Sequence, residues 1–119
     1  MNDGTIAVRT IGGAAMLLAV LAAAPALAEM PRYDVAAHCK AIAEVGGAPS
    51  EAIRQGCYQQ EQAAYDALKP RWDQLEAAMR QHCDQIARAG GRGSYAILEG
   101  CIQQEIEAGK ANKGFEFKY

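Results

Sequence analysis

No surplus of positive charge runs through this sequence: 12 lysine and arginine residues stand against 14 aspartate and glutamate residues, a formal net charge of -2. A nucleic-acid binder or a protein held on anionic lipid needs a basic field, and neither class fits. Cys-x-x-Cys is missing too, although the chain has four cysteines. Its absence excludes c-type haem attachment, and it argues against a dithiol oxidoreductase, which uses a close pair to lower a thiol pKa. There is no Gly-x-Ser-x-Gly nucleophile elbow, no phosphate-cradling glycine loop and no pair of catalytic histidines. The composition is not that of collagen, a multi-pass membrane protein or a long disordered tail. The sequence thus reads as non-enzymatic and without a cofactor.

What is present begins with an export signal. Arg9 precedes an apolar run over residues 16–24, Pro25 ends helix, and in Ala26-Leu27-Ala28 the first and third residues are the small ones that signal peptidase reads. Residues 1–28 are therefore expected to be cleaved, leaving 91 residues that start at Glu29. No cysteine follows the apolar run, so a lipid anchor is not expected. The destination is the periplasm or the medium, oxidising places where cysteines pair. A domain of this size lies near the limit at which one core offsets chain entropy, and disulfides are the expected staples.

The remaining chain repeats itself. Residues 38–69 align on residues 82–113 without a gap, at a displacement of 44 and with 17 of 32 positions identical. His38 matches His82, Cys39 matches Cys83, Gly46-Gly47 matches Gly90-Gly91, and Ser50 matches Ser94. Gly56-Cys57 matches Gly100-Cys101, and Glu61 matches Glu105. We expect one domain over 29–119, made of repeats 33–69 and 71–113 followed by a short aromatic tail, 114–119. Such units bury their faces against each other.

Each repeat reads as a helical hairpin. Val35, Cys39, Ile42 and Ala43 share a stripe at helical spacing, as do Leu75, Met79, Cys83 and Ile86. The returning helices carry Ile53, Cys57, Ala64 and Leu68 in one copy, and Ile97, Cys101 and Ala108 in the other. Gly-Gly closes the first helix of each pair, and Ser50 or Ser94 caps the second. Cys39 and Cys57 lie symmetrically about position 48, Cys83 and Cys101 about position 92. In an antiparallel pair this puts both members at one height, roughly 10 Å from the turn. Four cysteines allow three connectivities, but only the pairing within each repeat needs nothing beyond the hairpin. Gly56 and Gly100, in helix interior, suggest a close approach of the two backbones beside the bridge. The linker around Pro70 either turns, making a four-helix bundle, or kinks one long central helix. Alanine-rich hairpins bury too little to stand alone, which favours the bundle. The expected fold is all-α: two tandem disulfide-stapled helical hairpins packed as a small four-helix bundle.

Functional candidates are of three kinds. The His38-Cys39 and His82-Cys83 pairs raise a periplasmic copper or zinc site, since imidazole and thiolate suit both metals. Adjacent helical residues diverge by about 100°, a poor ligand geometry. Glu61 and Glu105 stand four residues after the second cysteines, within about a turn of His38 and His82. Each histidine-glutamate pair is expected to act as a structural clamp rather than an acid-base couple. Finally, Leu98, Ile102 and Ile106 form a second stripe, and Tyr58, Tyr65 and Trp72 cluster near the linker. These are expected where one hairpin packs on the other, with any exposed remainder serving a partner. After Gly114, which can close the last helix, Phe115, Phe117 and Tyr119 alternate with charge. Such a tail either folds back over the bundle, the expected outcome, or recognises a partner. A binding module with a protein partner in the envelope is the function expected, without nucleic acid and without membrane attachment once the signal is removed.

The spacing Cys83, Gly90-Gly91, Ser94-Tyr95, Cys101 and Glu105 resembles that of small exported bacterial proteins with a Cys/Gly-Gly-Ser-Tyr/Cys helical-hairpin pattern. Both repeats carry the resemblance, although the first has Glu51 in place of the tyrosine. It implies an exported, disulfide-bonded helical protein and no activity.

Overall fold

The computed structural model describes residues 27–119, so the expected signal over 1–28 lies almost wholly outside the described residues. Four α-helices follow one another: α1 (Val35–Ala43), α2 (Glu51–Leu68), α3 (Ala77–Ala87) and α4 (Tyr95–Lys113). The two serine caps fall where the sequence puts them, and Asp34 caps α1 as well. Ser50 and Ser94 accept from the backbone N–H groups of Ile53 and Ile97, and Asp34 accepts from that of Ala37. The second glycine of each Gly-Gly turn is left-handed, Gly47 at φ +92° and Gly91 at φ +94°. There the missing Cβ removes the steric penalty any other residue would meet.

Disulfides join Cys39 to Cys57 and Cys83 to Cys101, each with Cα atoms about 5.5 Å apart. Thus α1 is stapled to α2 and α3 to α4. A 3-10 turn, Lys69–Gln74, joins the hairpins; Pro70 occupies its start, and the chain becomes extended at Leu75. Lys69 keeps helical angles although a proline follows, so the break comes six residues later than the proline alone would suggest. The linker turns, and the hairpins pack as a small bundle.

The hairpins meet mainly through their long helices. Ala64 and Leu68 of α2, with Trp72, close on Tyr95, Leu98 and Ile102 of α4, while Cys83 and Ala87 complete the same core from α3. Leu68, Leu98 and Ile102 are fully buried, and each such side chain is worth roughly 1.5–3 kcal/mol against exposure. Tyr33, ahead of α1, belongs to this core as well.

Three expectations are corrected. Ile42, Ile53, Ile86 and Ile97 are each about half exposed rather than inside their hairpins, because the disulfide fills the centre of each two-helix interface and the isoleucines flank it. Ala108 is exposed, since α4 outruns every neighbour beyond Ile106. No close backbone approach explains Gly56 or Gly100: a Cβ at either would meet no atom within 4 Å. Gly56→Ala and Gly100→Ala are accordingly expected to raise unfolding free energy by about 0.5–1 kcal/mol each in urea denaturation, the helix-propensity difference with nothing opposing it.

Candidate functional site

Glu61 lies in the middle of α2, is only 3% exposed, and makes a buried polar contact between the hairpins. Its carboxylate accepts from the Ser94 hydroxyl at 2.6 Å and from the Tyr95 backbone N–H at 2.5 Å. A helix N-terminus leaves its first N–H groups without intrahelical partners, and a carboxylate there meets both their hydrogen bonds and the helix dipole. His38 Nε2 stands 3.5 Å from the same carboxylate. His82 and Glu105 repeat the pairing at 3.7 Å, but there Glu105 is 46% exposed and reaches no helix end. The two pairs are alike in sequence and unlike in role: one latches the hairpins, the other sits on the surface.

Next to this latch, segment 29–33 is strapped onto the second hairpin. Trp72 Nε1 donates to the Glu29 carbonyl at 3.0 Å, and the Tyr95 hydroxyl donates to the Pro31 carbonyl at 2.8 Å while accepting from the Tyr33 N–H. The Tyr33 hydroxyl donates to Asp84 at 2.7 Å, and the Arg88 guanidinium lies 4.9 Å from the centre of its ring. Burial, with the Asp84 hydrogen bond second, drives the Tyr33 phenol far above its ordinary range, so it remains a neutral donor. Gly93, left-handed at φ +82°, carries the ring against its Cα: a Cβ there would come within 2.3 Å of Tyr33.

Strap and latch together shape an open cleft of about 860 Å³ between segment 32–35 and α2. The rings of Tyr33 and Tyr65 pack on that of Tyr95, at 4.6 and 5.0 Å between centroids, and line it. Val35, Tyr58 and Ala63 add apolar wall, while Arg32, Gln59, Gln62 and Asp66 bring polar groups. Arg32 is exposed and makes no ion pair among the described residues.

The residues singled out from the sequence are thus divided. Trp72, Leu98 and Ile102 are buried between the hairpins and offer a partner nothing. Tyr65 and Ile106 are half-buried against that core. Tyr58 is exposed at the cleft. Phe115, Phe117 and Tyr119 are exposed beyond the end of α4, so the tail does not fold back over the bundle. Gly114 ends α4 at φ -100°, not in the left-handed conformation that would turn the chain around. Deleting residues 115–119 is therefore expected to change unfolding free energy by less than about 0.5 kcal/mol in dilute solution, as measured by thermal or urea unfolding.

The copper or zinc alternative finds no thiolate here. Cys39 and Cys83 are consumed in disulfides, and a disulfide sulfur has no thiolate charge to give a metal. Among the described residues no three histidine, cysteine or acidic side chains gather as a ligand set.

Sequence reasoning missed Tyr33, Arg32 and Gly93. Tyr33 and Arg32 precede the aligned stretch, and Gly93 replaces Pro49 of the first copy, a difference that marks a second-copy requirement. Two disulfides belong to an oxidising, non-cytoplasmic compartment, and no described helix is long and apolar enough to cross a membrane. No family model, no curated protein and no solved structure matches the chain.

Proposed function

We propose that this protein is a small exported binding module that holds an extended segment of a protein partner in the tyrosine cleft. The observation that carries the reading is the cleft itself, walled by four tyrosines and a valine, with an unpaired guanidinium beside them. Aromatic walls give a bound chain large contact area at little entropic cost, and a few convergent polar groups fix its direction. The segment over residues 1–28, with its arginine, apolar run and Ala-x-Ala, supports delivery to the periplasm or the medium, and the disulfides agree with that destination.

Selection of displayed random peptides on the oxidised protein tests the reading. Enrichment of aromatic peptides is expected, with binding weakened at least tenfold by Tyr58→Ala, an exposed position whose loss leaves the core intact. No enrichment, or binding indifferent to Tyr58→Ala, would overturn it.

A further inference from the structure

The six residues after α4 have the chemistry that the cleft lacks. In an extended chain Phe115, Phe117 and Tyr119 fall on one edge, with Glu116 and Lys118 on the other. Phe117 and Tyr119 already stand side by side, rings 5.1 Å apart and edge to face, and all three aromatics are exposed. The cleft offers the complement: an aromatic floor, Arg32, which has no ion pair among the described residues, and Asp66, whose carboxylate accepts from the Gln62 amide. Glu116 matches Arg32 in charge, and Lys118 matches Asp66.

The tail is kept from its own cleft by geometry. Tyr95, whose ring lines the cleft, is the first residue of α4, and the 19 residues of that helix carry Gly114 about 28 Å away at ~1.5 Å per residue. Six extended residues span at most ~20 Å. The tail therefore falls short of Tyr95 in its own molecule, whereas a second molecule can bring this segment to the cleft.

Resting on the reading of the cleft as a peptide site, we propose that its occupant is the tail of a second copy of this chain, and that two copies exchange tails reciprocally. Each copy has one tail and one cleft, and a reciprocal exchange uses both in each copy and so closes at two. Six residues in a cleft make a contact smaller than a standard interface, and the association is a weak one.

Sedimentation equilibrium of the oxidised protein from about 10 µM to 1 mM should show its mass rising towards a dimer, and deletion of residues 115–119 should hold it at the monomer. A synthetic peptide of residues 114–119, added to the deletion variant, should shift the ring resonances of Tyr58 and Tyr65. Arg32→Glu should weaken association at least tenfold, and pairing it with Glu116→Arg should recover most of the loss. A monomer at all concentrations, association that survives tail deletion, or failure of the charge exchange to restore it would overturn the proposal. If selected aromatic peptides still bind the cleft while the 114–119 peptide does not, the occupant is wrong and the binding-module reading stands. If no peptide binds, both fall.

Discussion

Replacing Glu61 with alanine is expected to lower unfolding free energy by about 3 kcal/mol, whereas Glu105→Ala should stay within about 0.5 kcal/mol of the parent. The two residues occupy the same place in the aligned repeats, each following Gln-Gln four positions after a bridged cysteine. Only Glu61 is buried, and its removal strands two donors, the Ser94 hydroxyl and the Tyr95 N–H, in an interface where water does not replace the carboxylate. Glu105, half in solvent beside His82, leaves nothing unsatisfied when it goes. Urea denaturation of the two variants side by side measures the difference. Equal effects would mean that the latch is not what fastens the hairpins.

Removing one disulfide should cost about as much. Joint replacement of Cys39 and Cys57 by alanine frees a loop closed across 18 positions, worth about 3 kcal/mol in the chain-entropy model. In a domain this size that corresponds to a fall of about 15 °C in Tm. The second bridge should be untouched, because Cys83 and Cys101 are held together by their own hairpin. Peptide mapping without reductant should still find them joined in the variant. Loss of that bridge would show that the hairpins do not form independently.

The aligned repeats made much of this legible, and how they did so is instructive. Positions identical in both copies build each hairpin: the cysteines, the Gly-Gly turns and the serine caps. Positions that differ supply most of the large apolar side chains buried between the hairpins. Buried Leu98 and Ile102 correspond to Arg54 and Tyr58, buried Tyr95 to Glu51, and buried Leu68 to Asn112. A face that is apolar in one copy and polar in the other is buried between these two hairpins once only. Three things stayed hidden. Glu61 and Glu105 both follow Gln-Gln four positions after a bridged cysteine, and that shared setting does not separate latch from surface pair. The strap around Tyr33 has no periodicity to read, since it is held by single hydrogen bonds to distant residues. The tail's direction depends on α4 outrunning its neighbours, a property of stagger between helices and not of the tail.

The carboxylate of α2 meets the start of α4, and amide hydrogen exchange reads that contact at one atom. First-turn amides of a helix ordinarily exchange freely, having no intrahelical acceptor. The Glu51 amide, first in α2, should do so. The Tyr95 amide, first in α4 but bound to Glu61, should exchange only when the hairpins separate, with protection approaching that of Ile102 in the buried core. Fast exchange at both Glu51 and Tyr95 would contradict the account.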